Sequence, residues 1–399
     1  MLLRRKSPPG RSPPVRGKGL NPVLYYLFYE QLFPYFSPFR VFRYLTFRTA
    51  FASITALLIC LVLGPWLIAR LKQFQIGQYI REEGPQSHQA KAGTPTMGGI
   101  LIHVAILVPT LLWMDLRNSL VWLAILATLG FGLVGFLDDY YKIIQRQNRG
   151  LSGRSKLYLQ MLISFLVGIA LLILTAHGDY STHLSVPFFK QFTPDLLIHS
   201  LMRTAYTYPL AFIFFFLFVV LVIVGASNAV NLTDGLDGLA VGCTIIAAGA
   251  LTVLTYLTGH AVFARYLEIQ YIPQVAELTV FCGAMVGACV GFLWYNAHPA
   301  EVFMGDVGAL ALGGGIGTIA VIIKQEILLL SIGGVFVAEA VSVILQVASF
   351  QLRGKRIFKM APLHHHFEMK GWSESKIIIR FWIAALVLAL FSLSTLKLR

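Results

Sequence analysis

The sequence predicts an all-α polytopic integral membrane protein, and three observations carry that expectation. Over 399 residues the chain is 57% hydrophobic and only 13% charged, with a mean hydropathy of +0.72. That balance excludes a soluble globular protein of this length. Ten apolar runs approach the roughly 20 residues that a bilayer crossing needs. The polar clusters between those runs fall in alternate loops, which a chain using its loops as plain connectors has no reason to do.

Residues 1–22, rich in Arg, Lys, Pro and Gly, lack hydrophobic periodicity and are expected to form a disordered basic tail. Residues 23–46 contain YYLFYEQLFPYFSPF, too short and too proline-rich to span, and read as an interfacial aromatic segment. Residues 47–399 then form one transmembrane domain of ten helices, with spans near 48–69, 98–114, 119–137, 157–176, 206–226, 239–258, 276–294, 307–323, 327–349 and 377–396. No loop between them is long enough for a separate soluble domain. Cys60, Cys243, Cys282 and Cys289 lie in or beside apolar runs without CxxC spacing. They read as small buried hydrophobes, not as disulfides or metal ligands.

Each span reverses the side of the membrane, so the loops at 70–97, 138–156, 227–238, 295–306 and 350–376 share a face. These loops hold KAGTPTMGG, DDYYK, NLTDGLDG, NAHPAEVFMGD and APLHHHFE. They carry 15 of the 32 Lys and Arg residues, against 16 on the opposite side when the tail is included. Setting aside the basic residues before the first span leaves seven there, so the internal loops favour a cytoplasmic motif face and the tail opposes it. The net charge of +14 sits in loops and tail. It points to membrane phospholipid and anionic substrates, and nucleic acid is not an expected partner.

GASNAVNLTDGLDGLAVG, residues 225–242, is a polar island after the uncharged run PLAFIFFFLFVVLVIV. Asp234 and Asp237 at a helix end are costly unless water, a cation or a partner compensates them, though Asn, Asp and Gly also make ordinary turns. DDYYK places Asp138 and Asp139 at the end of the third span, about 100° apart on a helix, with Lys142 spaced to pair with Asp138. A charged helix end is the alternative there. MGDVGALALGGG puts Asp306 at the start of the eighth span, where a helix N-terminus favours it and where it equally suits a magnesium–diphosphate site. Asp138, Asp139, Asp234 and Asp237 are candidates for the same pocket.

His364, His365 and His366 follow the basic run RGKRIFK. Three adjacent histidines cannot all ligate one metal in a helix or strand, so a polyanion or a pH-sensitive surface fits them better than zinc. Lys91, Thr96 and the glycines of KAGTPTMGG suit phosphate only weakly. No P-loop and no dinucleotide fingerprint occurs, which removes support for ATP hydrolysis and nicotinamide redox chemistry. Glu339 and Gln346 lie seven residues apart on one face of the ninth span, as a pocket wall or as helix–helix hydrogen bonds.

Taken in order, KAGTPTMGG, DDYYK, NLTDGLDGLA, NAHPAEVFMGD and PLHHHFE make the chain from about Phe47 to Leu396 resemble the polyprenyl-phosphate N-acetylhexosamine-1-phosphate transferase superfamily. TPTMGG and PLHHHFE resemble its phospho-N-acetylmuramoyl-pentapeptide-transferase branch more than the relatives that transfer N-acetylglucosamine-1-phosphate. The resemblance implies ten transmembrane helices, a cytoplasmic active site, a bacterial inner-membrane location and usually a homodimer. It also implies magnesium, and transfer from UDP-N-acetylmuramoyl-pentapeptide to undecaprenyl phosphate, giving lipid I and UMP. By the same resemblance Asp306 is the magnesium ligand and Asp138 and Asp139 the essential acidic pair. Asp234, Asp237 and Asn296 belong to the nucleotide pocket with Lys91, Thr96, Asn231 and Gln346 nearby, and His364 and His365 to the nucleoside-sugar pocket, with His366 a further substrate-binding candidate. Ala309 departs from the serine usual after MGDVG, and the N-terminal extension lies outside the pattern.

Direct displacement at the β-phosphate and a covalent intermediate on an aspartate both suit these residues. An ion-coupled transporter also uses membrane carboxylates, but near the midplane, whereas these sit at span ends.

Overall fold

The computed structural model describes residues 23–73, 93–145, 150–189, 192–203 and 207–397. The tail at 1–22 and Lys91 lie outside them. Ten principal helices follow one another: α1 Leu45–Gln73, α2 Gly99–Trp113, α3 Ser119–Ile144, α4 Gly153–Ala176, α5 Ile213–Thr233, α6 Leu239–Gly259, α7 Leu278–Asn296, α8 Gly305–Ile322, α9 Gly334–Arg353 and α10 Glu374–Ser394. No β-sheet forms among the described residues, where His183 and Asp195 make an isolated antiparallel bridge.

Nine of the helices among the described residues are long and apolar enough to cross a membrane, and α2, with 15 residues, is shorter. Helix α2 nonetheless runs between the same two ends as its neighbours. At its start Gly98 and Gly99 donate to the carbonyls of Phe303 and Met304, 2.9 and 2.8 Å away. At its finish the Trp113 carbonyl accepts from the Arg48 guanidinium at the head of α1.

Three expectations need correction, the first being the fifth span, expected at 206–226 but continuing as α5 to Thr233, so that Asn228 and Asn231 lie in a helix and not in a loop. The apolar run at 327–349 is not one helix but two, Glu326–Ile332 and α9, broken at Gly333. Hydropathy alone does not register a break between two equally apolar pieces. The third span does not stop at residue 137 but continues to Ile144. Asp138 and Asp139 are therefore held rigidly inside a helix instead of emerging from it.

Helix α8 is the buried centre, packed by α3 and α5 and touched by α2 and α6. Its GGGIG run explains the fit. Gly313 meets the Ala226–Ser227 backbone of α5, Gly314 the Phe131 ring, Gly315 the Thr128 side chain of α3, and Gly317 the backbone of Ile223. Lipid offers helices no hydrophobic drive to associate, so close packing of small residues does that work. The same logic joins α7 to α1: Gly283, Gly287 and Gly291, each four residues apart, face Thr49, Ser53 and Leu57 with Cys60, and Ser53 Oγ donates to the Gly283 carbonyl at 2.7 Å.

The end away from the motif loops has its own polar ties. Arg48 grips Glu277 through two bonds of 2.8 and 2.7 Å, and the backbone N–H of Asp115 donates to the same carboxylate. Lys324, fully buried, pairs with Glu326 at 2.8 Å. The aromatic segment 23–46 packs here as short helical turns, with Phe28 stacked on Phe42 and Phe42 on Trp113.

Candidate active site at one end of the bundle

The last turns of α3 and the first turn of α8 are brought together by two glycines. Gly135 of α3 lies directly against the carbonyl of Asp306, a contact no side chain allows. Gly305, at φ +71°, starts α8 in the left-handed region and faces both the Asp139 carboxylate and the Thr96 hydroxyl. Asp138, Asp139 and Asp306 consequently offer carboxylate oxygens that all lie within 4.8 Å of one another.

Three acidic groups this close repel unless compensated, and two lysines compensate them. Lys142 Nζ lies 2.6 Å from Asp138, 3.2 Å from Asp139 and 2.8 Å from Asp306. Lys156, from the second turn of α4, reaches Asp306 at 2.8 Å. Asp138 also accepts from the Leu151 N–H at 2.9 Å, and Asp139 from the Val307 N–H at 3.2 Å. With its amide turned to satisfy both ends, Asn231 of α5 donates to Asp306 at 2.8 Å and accepts from Lys156 at 3.3 Å. The expected pairing of Lys142 with Asp138 is present. Lys156 was not singled out in the sequence, because its partner Asp306 is 150 residues away.

Asp237 belongs to a second group beside the first. His298 Nδ1 lies 3.1 Å from Asp237 and 3.5 Å from Glu374. Asp237 also accepts from the Ala300 N–H at 3.1 Å and, through its own N–H, donates to Glu374 at 3.0 Å. Asp234 links the two groups electrostatically: burial first, then the charges of Asp306, Asp139 and Asp237, push it up to about 8. His298 and Glu374 were missed in the sequence. Their only signal was their presence in two of the motif-face loops, 295–306 and 350–376.

The three histidines occupy a short helix, Leu363–Glu368, and turn to three different partners. His364 is fully buried beside Gly235, with Nδ1 3.2 Å from Glu339 of α9. His365 Nδ1 lies 2.6 Å from Glu368. Burial first, then the Lys370 and Lys359 charges, hold His366 below the ordinary histidine range, and its Nδ1 accepts from the Lys359 N–H at 3.1 Å. They do not converge on one point, as expected for residues adjacent in a helix.

Thr96 stands beside Gly305 in the acidic cluster, and the Pro95 carbonyl accepts from the Phe303 N–H at 2.8 Å. Asn296 and Gln346 serve the loops themselves. Asn296 accepts from the Gly238 N–H and donates to the Val302 carbonyl. Gln346 takes the N–H groups of Ile357 and Phe358 and donates to the Phe358 carbonyl. Glu339 and Gln346 thus both fasten the segment at 357–368 onto α9. Every predicted site residue among those described lies at this one end of the bundle.

The family model for glycosyl transferase family 4 matches residues 121–324, and a phospho-N-acetylmuramoyl-pentapeptide-transferase signature matches residues 91–102. The chain is 67% identical over 379 residues to a phospho-N-acetylmuramoyl-pentapeptide-transferase of Koribacter versatilis, covering 94% of this chain and all of the relative. Relatives of the same name from Acidobacterium capsulatum and Solibacter usitatus are 67% and 64% identical over the same shares. The long glycosyl transferase match, the signature at the first motif loop and identity across the full length of these relatives agree with the site: the chain belongs to the phospho-N-acetylmuramoyl-pentapeptide-transferase family.

Proposed function

We propose that the chain transfers the phospho-N-acetylmuramoyl-pentapeptide group of UDP-N-acetylmuramoyl-pentapeptide to undecaprenyl phosphate, giving lipid I and UMP in peptidoglycan synthesis. The observation that carries this reading is the gathering of Asp138, Asp139 and Asp306 with Lys142 and Lys156 at one end of an apolar bundle. Phosphoryl transfer asks a protein mainly for positioning and charge compensation, and such a place at a membrane surface can receive a water-soluble donor and a lipid acceptor together.

In the reaction an oxygen of the acceptor phosphate attacks the β-phosphorus of the donor. The bond from that phosphorus to the oxygen bridging the two phosphates breaks, and UMP leaves with the electron pair. Lys142 and Lys156 present positive charge to phosphate oxygens. Asp138, fixed by the Leu151 N–H, orients the acceptor phosphate or takes its proton. Asp306, with Asp138 and Asp139 in reach, would hold Mg2+, since three closely spaced hard oxygen donors fit that ion. When bound, magnesium supplies charge neutralisation at the departing phosphate. Asn231, Asp234 and Asp237, with Lys91 and Thr96, take the nucleotide half of the donor, while Asn296 and Gln346 hold the loops around it; His365 and His366 take its sugar side, and the buried His364 anchors the short helix that carries them.

We place the motif end at the cytoplasmic side of the bacterial inner membrane, where a nucleotide sugar is available. Helix α2 is then the tenth crossing, residues 23–46 lie at the opposite interface, and the tail has no catalytic role. The chain acts as a homodimer, the assembly its resemblance implies. The test is release of UMP from UDP-N-acetylmuramoyl-pentapeptide by the purified protein with polyprenyl phosphate and magnesium. No release, or release indifferent to the lipid acceptor, overturns the reading. A phospho-sugar adduct trapped on Asp138 or Asp139 without acceptor replaces direct displacement by two steps.

A further inference from the structure

The pair His298 and Glu374 stands outside the acidic cluster, yet it ties together the loops after α5 and α7 and the start of α10. Asp237 is the shared point. Its side chain is only 3% exposed, and its Oδ2 accepts from both His298 Nδ1 and the Ala300 N–H, each at 3.1 Å. Glu374 takes the Asp237 N–H with one oxygen, at 3.0 Å, and lies 3.5 Å from the same imidazole nitrogen with the other. One ring nitrogen therefore stands between two carboxylates. The next residue after Asp237, Gly238, is held by Asn296 from His298's own loop, so the whole 234–238 turn is fastened from that side. His298 is 36% exposed, so the clamp sits at the mouth of the site.

We propose that His298 is a positioning residue for the donor's nucleotide: with Glu374 behind it, it fixes the Asp237 carboxylate and the turn that carries it. The inference rests on the transferase reading above and deepens it. His298 moves no proton in the transfer and touches neither the acceptor phosphate nor the Asp138–Asp139–Asp306 cluster. Its loss should therefore weaken binding of the nucleotide half selectively.

The test uses the full chain in detergent or bilayer, with wild type alongside. His298→Ala should raise the KM for UDP-N-acetylmuramoyl-pentapeptide on the order of tenfold or more, by analogy with the 10–100-fold effects of groups that orient metal-ligating side chains. The KM for polyprenyl phosphate should stay at the wild-type value and kcat should change far less than the donor KM. His298→Asn, which keeps an N–H donor near the Nδ1 position, should restore most of the donor KM, and Glu374→Gln should shift it in the same direction as His298→Ala but less. UMP binding followed by calorimetry should weaken in His298→Ala by the same factor as the donor KM. An unchanged donor KM, an equal rise in both KM values, or no rescue by Asn overturns the role. Failure of wild type to turn over instead marks failure of the transferase reading, and the inference falls with it.

Discussion

At the scale of single residues, the acidic cluster makes opposite demands on neighbouring side chains. Asp306 is reached by Lys142, Lys156 and Asn231 together, so its carboxylate is the shared acceptor of the cluster. Asp306→Ala is expected to lower kcat by about a thousandfold, the scale of losing a preorganised charge partner, and to flatten the response to added magnesium. Near wild-type turnover in a magnesium titration would remove Asp306 from the metal-binding role. Asp234 behaves differently, because burial and three neighbouring carboxylates raise it to about 8. A carboxyl raised in the folded state prefers its proton there, so ionisation weakens the fold as pH climbs from near 3.8 to about 8. Asp234→Asn should accordingly raise Tm near pH 8 and change it little near pH 4, at the expense of donor binding. An equal gain at both pH values would show that the charge is not the cause. The sequence exposed Asp138, Asp139 and Lys142 because they sit within one helical turn of one another. It hid Lys156, His298 and Glu374, whose partners are 150, 61 and 137 residues away, since no local spacing encodes such meetings.

At the scale of helices, glycine placement decides which carboxylates meet. Gly135 lets α3 rest on the Asp306 carbonyl, so a Cβ there must separate the two helix ends that carry the cluster. Gly135→Ala should cost roughly 1–3 kcal/mol of stability, the usual range for overpacking, and reduce turnover more than its Tm loss accounts for. Gly130→Ala in the same helix meets only the flexible Ile163 side chain, at 3.3 Å, and should leave both nearly intact. Ala is the better helix former, so comparable loss at the two positions would mean that crowding along α3 in general, not the approach to α8, is responsible. Helix existence was legible in the apolar runs, and the glycine stripes of α7 and α8 explain the packing in hindsight. The break at Gly333 had one local signal, the Gly333–Gly334 pair, which a hydropathy window averages across because the residues on either side are equally apolar.

At the scale of the whole molecule, alternation of spans predicted that five loops meet on one side, and the structure joins them by direct contacts. Residues 95–99 bond to 303–304, Asp306 to α3 and α4, Asp237 to His298 and Glu374, and His364 packs on Gly235. Cysteines introduced at Tyr140 and Lys355 should therefore react with an impermeant reagent from one side of sealed vesicles, and cysteines at Phe189 and Tyr271 from the other. The native cysteines are all buried, which keeps the background low. Labelling of positions 140 and 355 from opposite sides would dismantle the shared site. Lys142 also has a consequence for how the protein comes into being. By resting among three acidic side chains, this built-in ammonium group quiets their mutual repulsion from the moment the chain folds. Biogenesis then does not have to wait for a divalent ion: a chelator should silence the enzyme reversibly while leaving it intact in the bilayer.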